Sequence, residues 1–299
     1  MYYFVYGLLY LLSLLPIRVL YFFADAACAL VYYVIGYRKP VVMSNLTIAF
    51  PEKTEAEKIR IAKNFYHNFI DTFIETIKMI SVKDAYILKR FTGNWDVLNE
   101  LLQTGKSCQI LLGHTFNWEW GNVALGLQIN YNVMAVYMPI ANKTLNRIFL
   151  DLRTRGKTRM LSAHNMRNEM IPYRNTQYAL GLAADQNPGD PRNAYWLNFF
   201  GKPAPFVTGP EKGARAGNMP VVFCYIEKLK RGYYNAVLSV HEQDPQSLPE
   251  GALTLTFVRY LENVIRMKPD MWLWTHKRWK HQWNESYEKL WVDGERPKF

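Results

Sequence analysis

Residues 1–16, "MYYFVYGLLYLLSLLP", carry no charged side chain, and residues 17–39, "IRVLYFFADAACALVYYVIGYRK", are nearly as apolar although they hold Arg18 and Asp25. Nothing else in the chain constrains its fold as strongly, because so much apolar surface has to leave water, either into a core or into a bilayer. A clean spanning helix needs about 20 apolar residues. The first run falls short of that, and Pro16 divides it from the second. A secretory signal normally opens with a basic stretch, whereas here aromatic residues begin at position 2. The expectation is two apolar helices, broken near Pro16 and lying in or on a membrane, with "YRK" at their end. A pair of core helices in a soluble protein is the competing reading. The boundary falls near residue 40, which gives a membrane-associated segment over 1–40 and an α/β domain over 41–299.

With 299 residues, 49% hydrophobic and 15% aromatic, the chain has the material for a large core, and wholesale disorder is excluded. Its net charge of +11 points to an anionic partner: nucleic acid, phospholipid headgroups or an acidic protein. The cysteines, Cys28, Cys108 and Cys224, are widely spaced and odd in number, which suits a reduced, cytosol-facing compartment better than a disulfide framework.

Beyond residue 40 the pattern becomes that of alternating strands and helices. Thr54 and Glu57 have the spacing of a capping box. Ala62, Phe65, Phe69, Phe73 and Ile77 then recur at helical spacing to about residue 80, with Lys63, Asp71 and Lys78 among the polar positions. "CQILLG" (108–113), "NYNVMAVYMP" (130–139) and "YALGLAADQ" (178–186) read as strands, and two more lie near 219–241. Helices are expected at about 118–128, 143–155, 164–173 and 209–217, and around Leu253, Phe257, Leu261 and Ile265. This alternation predicts an α/β fold with a largely parallel central sheet flanked by helices.

The richest chemistry lies in "LLGHTFNWEWGN" (111–122). Gly113 ends a strand, and Asn117 is a good N-cap that would open a helix at Trp118, with Glu119 in its first turn. On one helix His114 and Glu119 would point about 140° apart. If they meet, they meet across the corner, with the carboxylate fixing the tautomer of a general base. Spacing alone leaves open the plainer reading, in which His114 is a loop residue and Glu119 compensates the helix dipole. "AADQNPGD" (183–190) puts Asp185 and Gln186 at the carboxyl edge of the sheet, where open α/β folds bind ligands, although N-P-G-D is also strong turn chemistry. "NFFGKPAPFVTGPEKGARAGNMPVV" (198–222) reads as an apolar hairpin leading to a small-residue helix, either lining a slot or packing the core. "HKRWKH" (276–281) is a basic patch suited to a membrane surface or an anionic substrate. A P-loop, a G-x-S-x-G elbow, an H-E-x-x-H zinc site and a G-x-G-x-x-G loop are all missing, so neither nucleotide, metal nor nucleophilic serine is indicated.

In this order, "YRKPVVMSNLTIAFPE", "GHTFNWEWG", "VYMPIANKTLNRI", "DQNPGD", "FFGKPAPFVTGPEKGARAGNMPVV" and "WTHKRWK" resemble the lysophospholipid-acyltransferase-like family that contains the late (lauroyl/myristoyl) acyltransferases of lipid A biosynthesis. The resemblance runs from about residue 15 to 280. It implies a catalytic pair of His114 and Glu119, with Glu119 orienting the base, and a D-Q block at Asp185 and Gln186. It also implies a functional arginine at Arg147, with Arg153 and Arg155 near enough to compete for that register. Asn117, Arg147, Asp185, Gln186, Thr208 and Arg215 are the residues expected on the substrate side. No cofactor is implied, because the acyl thioester, on acyl carrier protein or coenzyme A, is a co-substrate. The implied partners are a membrane lipid acceptor and an anionic membrane surface, not nucleic acid. The implied location is the cytoplasmic (inner) membrane, with the catalytic domain facing the cytosol. Acylation of another membrane lipid, and lipid binding without catalysis, remain as alternatives.

Overall fold

The computed structural model describes residues 1–294. Helix α1 (Tyr2–Leu14) stops at Pro16, and Leu15 takes the extended backbone that a following proline favours. Helix α2 (Ile17–Ala29) continues as a wider π-helical turn over Leu30–Ile35 and ends at Gly36, whose positive φ closes the helix. On α2 and its extension, Leu20, Ala24, Cys28 and Tyr32 form a buried stripe at four-residue spacing. Phe22, Phe23, Leu30, Tyr33, Val34 and Ile35 are left exposed on the remaining surface.

Helix α3 (Lys39–Ala49) leads to the long α4 (Glu55–Met79), which opens on the expected Thr54–Glu57 capping box. Ala62 and Phe65 are buried as the apolar spacing suggested, but toward the C-terminal end of the helix the buried face turns to polar positions. Phe73 is 48% exposed, whereas Asp71 and Glu75 are 1% and 0% exposed. The reason is tertiary. The N-terminal helices lie along α4, so Lys78 Nζ donates to the carbonyls of Ser13, at the end of α1, and of Leu15 just after it. Arg231 bridges Asp71 to Asp25 of α2.

The body follows the α/β expectation. In chain order come α5 (Asp84–Leu88), β1 (Phe91–Gly93), α6 (Asp96–Gln103), β2 (Cys108–Leu112), α7 (Trp118–Gln128), β3 (Asn132–Tyr137), α8 (Lys143–Arg153) and β4 (Arg159–Ser162). Then follow α9 (Met166–Glu169), β5 (Tyr178–Ala183), β6 (Ala194–Phe199), β7 (Lys202–Val207), α10 (Gly209–Ala216), β8 (Val221–Lys230), β9 (Tyr233–Glu242) and α11 (Ala252–Met267). Seven strands form one sheet in the order β1-β9-β8-β2-β5-β3-β4, parallel throughout except for the β8–β9 hairpin. The apolar hairpin expected after residue 198 is the separate β6–β7 ribbon. Its two turn residues, Phe200 and Gly201, both have positive φ, as a type I′ turn requires. Strands β1 and β4 were not foreseen, being only three and four residues long.

Alternation along β2 and β8 assigns the two faces of the sheet. On one face Gly213 of α10 lies against Gln109, and Phe223 packs on Phe257 of α11. On the other, Ile110, Leu112 and Cys224 look into a cavity beside α7.

Candidate active site

The register of β2 and β5 creates the site. Leu112 pairs with Ala183 in parallel, so two residues further on His114 and Asp185 leave the sheet side by side. The His114 Nδ1 lies 2.6 Å from Asp185 Oδ1, and the His114 backbone N–H donates to Oδ2 at 2.9 Å. Gly113 permits this approach, because a Cβ there would sit 2.6 Å from Leu261 Cδ1. The C-terminal segment straps the corner from outside. Leu273 N–H donates to the His114 carbonyl, Phe116 N–H donates to the Met271 carbonyl, and Trp272 Nε1–H donates to Asp185 Oδ2 at 2.6 Å.

The electrostatics follow from these contacts. Burial alone would raise the Asp185 carboxyl, but the charge and hydrogen bonds of His114, with the Trp272 indole, bring it down to about 2. Burial would lower the His114 imidazole, yet the charge and hydrogen bond of Asp185 outweigh it and lift His114 above 6.5. With Nδ1–H held by Asp185, the neutral ring keeps its lone pair on Nε2, which has no hydrogen-bond partner among the described residues. The ring is 24% exposed and stands edge-on to Trp118 with centroids 5.5 Å apart.

Glu119 corrects the sequence reading. It lies in the first turn of α7 behind the Asn117 cap, as expected. Its carboxylate, however, is not on the histidine. Arg153 Nε and Nη2 donate to its two oxygens at 2.9 and 2.6 Å, and Trp118 Nε1 donates at 3.1 Å. The helix start aims Glu119 across α7 toward the end of α8, while the strand register takes His114 toward β5. A pair of glycines lets the Arg153 turn come so close. A Cβ on Gly126 would collide with the Gly156 carbonyl, and one on Gly156 would meet Val123 O at 2.6 Å. Glu119 still raises the His114 pKa by its charge, as a smaller contribution than Asp185.

His114, Glu119, Asn122, Arg153 and Gln186 form the polar part of the wall of a cavity of about 400 Å³. The remainder is apolar, with Leu125, Met134, Val136, Ile226 and Leu238 among the lining side chains. Of the three candidate arginines, Arg153 alone lines this space. The Arg147 guanidinium lies 4.0 Å from the ring centroid of Tyr2, where it helps hold α1 on α8. Arg155 ties the α4–α5 connection, bonding Asp84, the Met79 carbonyl and the Val82 carbonyl. Asn117 is fully buried and faces Glu75 instead of the cavity. Thr208 precedes α10 and Arg215 pairs with Glu211 on the same helix, beyond the cavity lining.

Sequence reasoning missed Trp272 and the strap that carries it. The available signal was "MWLW" (271–274), which lies just ahead of the "HKRWKH" stretch read as a basic patch. The cations of that patch divide by burial. Arg278 is 0% exposed, donates to Asn187 Oδ1 and the Pro205 carbonyl, and is pushed down to about 9 by burial. His276 Nε2 accepts the Asn187 N–H. Burial first, then the Arg278 charge, lower it to about 4, so it is neutral at pH 7. These contacts fix the loop that follows Asp185. Among the described residues no three His, Cys, Asp or Glu side chains converge as metal ligands.

The profile of the bacterial lipid A biosynthesis acyltransferases matches residues 1–281. A lipid A biosynthesis palmitoleoyltransferase of Escherichia coli (strain K12) is 21% identical over 276 residues, covering 92% of this chain and 89% of its own. A lipid A biosynthesis acyltransferase of Shigella flexneri matches with the same identity and coverage.

Proposed function

The chain belongs to the bacterial lipid A biosynthesis acyltransferase family, and from that premise we propose that it moves a fatty acyl chain from an acyl thioester to a hydroxyl of a lipid A-type glycolipid. The observation that carries the mechanism is the His114–Asp185 bond of 2.6 Å at the mouth of an apolar cavity. Asp185 fixes the tautomer, and His114 Nε2 takes the proton of the acceptor hydroxyl as its oxygen attacks the thioester carbonyl carbon. The C–O bond forms, and the carbonyl π electrons move to oxygen. Collapse of that tetrahedral species breaks the C–S bond, and the proton on His114 goes to the departing sulfur. The products are an ester and a free thiol, with no covalent enzyme intermediate. Arg153, held in orientation by Glu119, supplies the cation beside the developing oxyanion. The apolar wall accommodates the hydrocarbon chain.

The N-terminal helices supply access to the lipid. Ile17–Ile35 is 19 residues long with a mean hydropathy of 1.6, sufficient to cross a bilayer. Its Phe22, Phe23, Tyr33, Val34 and Ile35 are exposed, as are Phe4 and Leu11 of α1 at 79% and 66%. We place these helices in the inner membrane and the α/β body on its cytosolic side, with the donor carried by acyl carrier protein or coenzyme A.

Purified enzyme in detergent, given an acyl thioester and a lipid A precursor, is expected to raise the lipid mass by one acyl group with release of one thiol. His114→Ala is expected to lower the rate by about 10²–10⁴. Absence of an acylated product with wild-type enzyme, or a full rate in His114→Ala, defeats the reading.

A further inference from the structure

Glu75 sits near the C-terminal end of α4, 0% exposed and away from the cavity lining. Its carboxylate collects three neutral donors from three distant parts of the chain. Tyr21 Oη–H of α2 donates to Oε1 at 2.6 Å. Asn117 Nδ2–H and Tyr234 Oη–H donate to Oε2 at 2.7 and 2.8 Å. No cation pairs with it among the described residues, although Asp71, one turn earlier, has both Arg231 and Lys228. An acid kept in such a place with only neutral donors is costly unless its geometry is used.

The geometry lies one residue layer behind the catalytic corner. Asn117 is the N-cap of α7, its Oδ1 accepting the Trp120 N–H at 3.2 Å. Trp120 Nε1–H in turn donates to the Glu75 backbone carbonyl at 2.9 Å. Glu75 therefore grips both Asn117 and Trp120, with side chain and backbone respectively, at the point where the loop carrying His114 becomes a helix.

We propose that Glu75 is a positioning residue for the acyl transfer: it fixes His114 and the start of α7 through Asn117, and its bond to Tyr21 ties that setting to the membrane-facing helix α2. This rests on His114 being the base. Glu75 touches neither substrate nor His114. Its effect is to hold Nε2 at the distance and angle from which a hydroxyl proton can be taken, where a displacement of 1 Å costs about 10²-fold in rate.

A reciprocal exchange tests it. Asn117→Asp retains a good N-cap but opposes two buried carboxylates. Glu75→Gln opposes two amides. The double variant restores one amide and one carboxylate with the donor reversed. The Gln Nε2 replaces Oε2 and donates to the carboxylate at position 117 and to the Tyr234 hydroxyl, which turns to accept, while Oε1 still accepts from Tyr21. Per mole of folded enzyme, each single variant is expected to lose kcat by about 10- to 100-fold with KM little changed. The double variant should recover most of that loss. The acid limb of the pH–rate profile should stay in place, because Asp185 still holds Nδ1. Tyr21→Phe should lose less kcat than either exchange, and full kcat there would remove α2 from the proposal. If Asn117→Asp does not fold, comparison of the double variant with Glu75→Gln alone decides the matter. A double variant no better than Glu75→Gln, or variants that lose only melting temperature while keeping kcat, would overturn the proposal. His114→Ala assayed beside them separates the two readings. If it is inactive while the exchange fails to rescue, the positioning role alone falls, whereas an active His114→Ala removes the base itself.

Discussion

Asp185 and Glu75 are both carboxylates sealed from water, 1% and 0% exposed, and both are reached by donors from remote segments. They end with opposite chemistry. Asp185 meets an imidazole that can take a proton, and its pKa falls to about 2. Glu75 meets only hydroxyl and amide donors. Burial dominates, so its pKa rises despite three hydrogen bonds. The difference teaches what a titratable partner contributes. The charge on Asp185 is locked at any working pH and acts on His114, whereas Glu75 contributes direction alone.

The sharpest way to break this comparison is Asp185→Asn, which keeps the shape and removes the charge. Loss of the tautomer lock should lower kcat by about 10²–10⁴. The double variant with His114→Ala should be scarcely worse than His114→Ala alone, because residues acting as a unit are not additive. Independent multiplication of the two losses in purified enzyme would mean that they do not form one unit. Glu119 supplies a third case, a carboxylate held by a permanent cation. Arg153→Lys keeps the charge but loses the two-pronged contact, so a smaller loss of about tenfold is expected. A rate as low as that of Asp185→Asn would place Glu119 and Arg153 on a par with the histidine pair.

The smallest effect is the one read with pH. His114 must be neutral to act, and its pKa is raised, so activity should climb as pH rises through a midpoint above 6.5. In whatever activity Asp185→Asn retains, that midpoint should move down, since the largest raising influence is gone and burial remains. For stability the sign is opposite for the two partners. The depressed Asp185 stabilises the fold above its ordinary value of 3.8, and that contribution is lost as pH falls toward 2. The raised His114 stabilises below 6.5, and its contribution is lost as pH climbs through its folded value. Rate–pH profiles and melting curves over this range check both signs.

Much of this was legible beforehand. The break at Pro16, the capping box at Thr54, the Asn117 cap and the strands around 108–113 and 178–183 depend on local chemistry, which a reader of the sequence can follow. The motif also delivered His114, Glu119, Asp185 and Gln186 to one end of the sheet. The errors fell where a partner comes from far along the chain. Asp71 read as one of the polar positions of α4, and its burial could not be seen because the helices that cover it lie some fifty positions earlier. Arg147 looked as suitable as Arg153 because both lie on α8. Only the packing shows one over Tyr2 and the other on Glu119.

The sequence by itself determined the elements, their order, the apolar N-terminus and the histidine at the end of β2, since backbone capping, periodicity and hydrophobic burial act between near neighbours. The tertiary structure alone decided which acid pairs with which basic side chain. His114 and Glu119 are five residues apart, and His114 and Asp185 are 71 apart. The nearer acid nevertheless goes to an arginine and the distant one to the histidine. Parallel register brings the ends of β2 and β5 together, and α7 carries Glu119 away from them. Hydrogen bonds and ion pairs fall off within a few ångströms, so distance in space chooses the partner.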